Sequence, residues 1–144
     1  MLLSLAASAQ DQVKVQLKAE KITVQDGKEI RSSADKAAPG DVLELIAIYK
    51  NTQKAPAKQV FANISIVAGE EYVPGTTSPA GAMATIDGVN FAPIPLKRTV
   101  KNKEGKTVEV EVPASEYRAL RWNLGDLKGE ESRTVSARVK LRSR

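Results

Sequence analysis

Cysteine and histidine are both absent from this 144-residue sequence. Their absence removes thiolate nucleophiles, disulfides, the imidazole general base and the usual ligands of a zinc site. Catalysis would have to rest on carboxylates, lysines and hydroxyls alone, and no enzyme activity or cofactor is expected. Aromatic residues are scarce, at one tryptophan, three tyrosines and two phenylalanines, too few for the stacked platforms that bind single-stranded nucleic acid. Lysine and arginine outnumber aspartate and glutamate by 22 to 17, for a net charge of +5. Nucleic-acid binding wants a concentrated basic stripe with interleaved aromatics, and the few aromatics are spread through the whole chain, so nucleic acid is not an expected partner. No stretch approaches the roughly 20 apolar residues that carry a helix across a bilayer, and no membrane span is expected.

What the sequence does contain is a hydrophobic content of 42%, sufficient at this length for one two-layer core without crosslinks. Its first residues, Met1-Leu2-Leu3-Ser4-Leu5-Ala6-Ala7, are apolar, and Ala7-Ser8-Ala9 before Gln10 has the small-x-small pattern that signal peptidase reads. The run is shorter than an ordinary signal core and no Lys or Arg precedes it. Residues 1–9 are therefore read as a truncated signal peptide and residues 10–144 as a single domain. An exported protein is expected, in the periplasm, on the cell surface or secreted.

Beyond the leader, apolar and polar residues alternate with a period of two, interrupted by turn signals at short intervals, which is the pattern of an all-β protein. Val13, Val15, Leu17 and Ala19 alternate with Lys14, Gln16, Lys18 and Glu20, predicting a half-buried strand that runs on to Val24 and turns at Asp26-Gly27. Ala38-Pro39-Gly40-Asp41 predicts a type II turn, with Pro setting φ at the second position and Gly accepting positive φ at the third. Residues 42–49, apolar on both faces except at Glu44, predict a central strand. Further strands are predicted from Val60, around Tyr72, on both sides of Asp87-Gly88, and on both sides of Lys103-Glu104-Gly105. In this last hairpin Val108, Val110 and Val112 face one way and Glu109 and Glu111 the other. Pro93 and Pro95 predict a sheet edge, because proline cannot donate to a ladder. One helical turn is expected near Pro113, then a strand carrying Trp122, then a last strand over residues 133–141. The count, about eight or nine strands, suits an immunoglobulin-like Greek-key β-sandwich.

Two segments resemble the conserved-repeat domain of bacterial surface proteins known as domain of unknown function eleven. The first holds Ala38-Pro39-Gly40-Asp41-Val42, Tyr49-Lys50-Asn51-Thr52, Ala55-Pro56-Ala57, Ala68-Gly69 and Tyr72-Val73-Pro74-Gly75. The second holds Trp122-Asn123-Leu124-Gly125-Asp126-Leu127, Gly129-Glu130 and Val135. In order they cover roughly residues 34–141. The resemblance implies an immunoglobulin-like sandwich that serves as a module of cell-surface, envelope or secreted proteins. The sequence departs from the family pattern at Ile64 and Val67, where Asp and Pro are usual, and residues 82–116 form an insertion. Those departures remove the basis for carrying over the family's acid-dependent crosslinks or metal sites.

Among residues that could carry chemistry, Asp41, Glu70, Glu71 and Asp126 are the best acidic candidates for a calcium site, but they lack the dense spacing of one and read as solvated turn residues. Lys50, Asn63 and Glu44 are nominal members of an isopeptide crosslink, and exposed side chains are the plainer reading. Trp122, Tyr49 and Tyr72 are expected in the core between the sheets. Arg138, Lys140, Arg142 and Arg144 recur at every second position, placing four cations on one face of the terminal strand. They form the candidate interaction face, a basic ladder for an anionic envelope polymer or an acidic partner. Charge that protects an edge strand from unwanted pairing explains the same spacing.

The expected function is a non-catalytic structural or assembly module of the bacterial cell envelope, acting through strand edges and loops on protein partners or on copies of itself. The alternative is a binding module that takes an anionic envelope ligand or surface protein on the basic terminal strand.

Overall fold

The computed structural model describes residues 12–143, so the signal-like segment 1–9 and Arg144 lie outside the described residues. Eleven strands follow in order: β1 (Val13–Gln25), β2 (Lys28–Ser33), β3 (Val42–Asn51), β4 (Ala57–Ser65), β5 (Glu70–Tyr72), β6 (Met83–Thr85), β7 (Ala92–Pro93), β8 (Lys97–Lys101), β9 (Thr107–Glu111), β10 (Ala119–Leu127) and β11 (Ser132–Leu141). They form a five-stranded sheet in the order β2-β1-β3-β11-β5, a four-stranded sheet in the order β4-β10-β6-β7, and the separate hairpin β8-β9. All pairings are antiparallel. The chain crosses between these two sheets from β3 to β4, from β4 to β5, from β5 to β6 and from β10 to β11, so the two layers of a β-sandwich interleave in sequence. The count of eleven exceeds the eight or nine expected, although strands were expected around Tyr72 and on both sides of Asp87-Gly88, where the short pieces β5, β6 and β7 lie.

Turn chemistry fixes the connections where the sequence signals them. Asp26 and Gly27 both take positive φ, 52° and 77°, the conformation that matches a two-residue hairpin to the twist of its strands. Gly40 sits at φ 93°, and Asp41 N–H donates to Ala38 O at 3.0 Å, closing the type II turn. Single turns of 3-10 helix occupy Ala34–Lys36 and Ala114–Glu116, the second where Pro113 announces it. Pro93 lies in β7, at the edge of the four-stranded sheet, where a missing donor costs nothing.

Between the sheets, Tyr49, Tyr72 and Trp122 join Leu43, Ile64, Leu120, Leu127, Val135 and Val139 in one buried cluster. The Trp122 Nε1–H donates to Pro79 O at 2.8 Å, which satisfies the indole within the core. Tyr72 stacks on Tyr117 with ring centroids 5.6 Å apart.

Two elements depart from their expected burial. β1 was expected to be half-buried, yet Val15 is 48% exposed and Leu17 71%. Their register opposite Tyr49 and Ala47 of β3 turns them toward the opposing sheet, but that sheet ends at β4 and leaves them uncovered. The β8-β9 hairpin was expected to have one wet face, and both of its strands are exposed along their whole length. Its root is buried. Leu96 and Val112 are buried, Val112 N–H donates to Leu96 O at 2.8 Å, and Leu96 N–H donates to the Tyr117 hydroxyl at 2.9 Å.

Candidate functional site

The proposed basic ladder begins at Arg138, and the structure commits that residue elsewhere. β11 lies inside its sheet, between β3 and β5, and is not an edge strand. The Arg138 guanidinium donates to both carboxylate oxygens of Glu29 at 2.8 and 2.9 Å and to Glu44 Oε1 at 3.3 Å. Glu44 and Glu20 are also paired with Arg31, so three carboxylates and two guanidiniums form one network on the outer face. Hydrogen bonds from Arg138 hold the Glu29 carboxyl below its ordinary range, and the same bonds raise Arg138. Lys140 keeps to the same face of β11 and is exposed, whereas Arg142 follows the end of that strand and donates its backbone N–H to Gly69 O at 2.8 Å. Arg138, Lys140 and Arg142 are therefore not brought together as one free row of charge, and Arg144 lies outside the described residues.

The uncovered feature is the flank formed by β1 and β4. Among the described residues, residues 13–19 of β1 pair only with β3, because β2 covers β1 only from Glu20 to Gln25. Two neighbouring grooves run along this flank. One, of about 430 Å³, is lined by Val13, Val15, Tyr49, Phe61 and Arg121 among others. The next, of about 420 Å³, is lined by Leu17, Leu45, Ile64 and Val67 among others. The edge of β4 across the groove is occupied at one point: the Tyr49 hydroxyl accepts from Asn63 N–H at 2.9 Å and donates to Asn63 O at 3.3 Å. A tyrosine of one sheet thus supplies the partner that a neighbouring strand would give the other. At the rim, Arg121 lies 3.8 Å from the centroid of Phe91 and 5.7 Å from that of Phe61, and its Nε donates to Asn63 Oδ1 at 2.8 Å.

On the other side of the molecule the β8-β9 hairpin stands out from the body. Its register places Val100, Val108 and Val110 on one face with Arg98, and Lys97, Thr99, Glu109 and Glu111 on the other. Arg98 is held by a two-point contact to Glu116 at 2.8 and 3.1 Å. Lys97 and Glu109 are 3.7 Å apart and both exposed, a pair that contributes little.

No family model, curated protein or solved structure matches this chain. Its own geometry must carry the functional reading.

The remaining candidates are dispersed. Asp41 faces Lys21 at 3.2 Å, and Asp126 faces Lys58 at 3.3 Å. Both carboxyls are held below their ordinary range, Asp41 chiefly by the Ala38 N–H and Asp126 chiefly by the Gln59 N–H. Among the described residues no three acidic side chains converge as a metal site would need. Glu44 and Lys50 share the outer face of the five-stranded sheet and Asn63 belongs to the other sheet, so these three do not meet.

Three residues missed in the sequence matter to the architecture. Asn51 is fully buried, and its amide donates to Ala55 O, Leu127 O and Lys128 O at 2.8 to 3.3 Å, tying two loops together. Tyr117 anchors the hairpin root. Gly129 lies against the backbone of Lys54, where a Cβ would stand 2.1 Å from the carbonyl oxygen. An Asn-Thr pair after a strand and a Gly-Glu pair before one were the only local signals for two of them, and neither reveals which distant loop is touched.

Proposed function

We propose that this chain is a non-catalytic module of the bacterial cell envelope that works by presenting strand edges and an apolar flank to protein partners, including copies of itself. The observation that carries it is the open edge of β1 over residues 13–19, with Val15 and Leu17 exposed beneath it. An unpaired edge beside uncovered apolar side chains is the arrangement on which strand addition works, with main-chain hydrogen bonds giving affinity and alternate side chains giving specificity. The signal-like start and the resemblance to surface-protein repeats support the compartment. The alternative, capture of an anionic ligand by the terminal strand, loses support because its first cation is held by Glu29 and Glu44.

The test is fractionation of the cells that make the protein. The expected outcome is a chain cleaved before Gln10 that sediments with envelope material through a salt wash. An unprocessed chain in the cytosolic fraction would refute the module.

A further inference from the structure

Taking the envelope-module function above as given, we propose that the occupant of the β1 edge is strand β9 of a second copy of this chain, added in parallel, so that subunits join head to tail.

Hydrogen-bond direction selects the pairing. Gln12 O accepts from Thr52 N–H on the β3 side, so alternation directs the N–H and C=O groups of Val13, Val15 and Leu17 to the open edge. In the hairpin, Val112 N–H donates to Leu96 O and Asn102 N–H to Lys106 O. The even residues of β9 therefore bond to β8, and Thr107, Glu109 and Glu111 direct their backbone groups outward. β9 pairs only with β8, which leaves that edge unpaired among the described residues.

If the two edges met antiparallel, residues with facing backbone groups would lie opposite one another, setting Val15 and Leu17 beside Glu109 and Glu111. In a parallel pair a residue whose groups point inward lies opposite one whose groups point away. Val15 and Leu17 then come opposite Val108 and Val110, while Glu109 and Glu111 fall among Lys14, Gln16 and Lys18. Apolar side chains extend the groove-facing row, and acids meet bases on the other face.

Charge also separates β9 from rival occupants. β8 offers Lys97 and Lys101 along its own outward-directed positions, against a β1 face that is already basic. A two-fold pairing of β1 with β1 of a second copy satisfies hydrogen-bond direction but places lysines among lysines with no acid between them. The β4 edge is a poorer acceptor because Tyr49 occupies Asn63. Donor and acceptor lie on opposite flanks. The hairpin root is held by Tyr117, stacked on Tyr72 of β5, and β5 and β1 are separated in their sheet by β11 and β3. A contact between two different surfaces need not close, so it generates an open series and not a dimer.

Sedimentation velocity of the full chain across a wide concentration range at low ionic strength tests this. Wild-type protein is expected to form an open series of species. Lys14→Glu with Lys18→Glu, or Glu109→Lys with Glu111→Lys, is expected to weaken association by about tenfold or more. An equal mixture of the two variants is expected to restore it, because each then supplies the charge the other lacks. Leu17→Ser, at an exposed position, is expected to weaken association with no loss of thermal stability. A wild-type series that stops at a dimer and ignores the β9 substitutions would overturn the proposal in favour of two-fold β1 pairing. A monomer at all concentrations, or a mixture that fails to restore association, would also overturn it. Either result combined with retained sedimentation on envelope material leaves the module function standing, with another protein as its partner.

Discussion

Arg138 of β11 reaches Glu29 of β2 across two intervening strands, meeting both carboxylate oxygens at 2.8 and 2.9 Å. Glu29 is registered two residues beyond Ile22 along β1, and Arg138 shares its row with Glu44 and Glu20. The side chain therefore passes over the row of Ile22 and Val42. Ile22 is buried on this outer face, where the stem of a long cation can cover apolar surface while its head stays polar.

Arg138→Ala is expected to lower the thermal midpoint. Adding Glu29→Gln to that variant should lower it little further, since the partner is already gone. A double-mutant cycle by thermal unfolding measures this, and strict additivity would count against coupling across the sheet. Glu29 is exposed, so added salt should narrow the gap between wild type and variant.

Tyr49→Phe keeps the ring in the core and removes the hydroxyl that satisfies Asn63. The unpaired N–H and C=O should cost about 1–2 kcal/mol in urea unfolding. Amide exchange at Asn63 should accelerate more than at Ile64, whose neighbourhood in β10 is untouched. Equal protection of Asn63 in both proteins would contradict the bridging role.

Gly129→Ala is expected to destabilise by about 1–3 kcal/mol, because the added methyl overlaps the Lys54 carbonyl and backbone must shift to admit it. The positive-φ glycines of the exposed turns offer a contrast. Gly27 has open space around the position of a Cβ, so its replacement by Asn, which tolerates that conformation, should be milder. Comparable losses at the two sites would show that the contact with Lys54 is not what demands glycine at 129.

Stability should be flat from neutral pH down to about 5 and fall below that. No histidine is present, so no side chain has its ordinary titration in the upper part of that range. Glu29, Asp41, Asp87, Asp126 and Glu131 are all held below the ordinary carboxylate range. Asp87 is lowered chiefly by N–H groups of its own loop, at Asn90 and Val89. A carboxyl depressed in the folded state contributes stability above its unfolded pKa and loses it as pH falls through the folded one. Urea midpoints measured from pH 7 to pH 2 check the direction, and a decline that began above pH 6 would contradict it.

Much of this was legible in the chain. Alternation at Val135, Ala137 and Val139 gave a strand and its buried face, because side chains on a strand alternate whatever lies above them. Asp26-Gly27, Ala38-Pro39-Gly40-Asp41 and Lys103-Glu104-Gly105 gave turns, because their backbone conformations are local properties of those residues. The same alternation in β1 and β9 misled on burial. It states which side chains share a face and is silent on whether another layer reaches them. The basic spacing at Arg138 and Lys140 likewise carried no information about the carboxylate that β2 would bring across two strands.

The sequence alone therefore determined the strand pattern, the turns, the two-layer class and the absence of the residue types most catalytic sites require. Only the tertiary structure decided that β11 lies inside a sheet, that Arg138 is committed, and that the uncovered surfaces are the β1 flank and the β8-β9 hairpin. Strand order and sheet width are set by contacts between residues far apart in the chain, and an alternating pattern has no term for how far the opposing sheet extends.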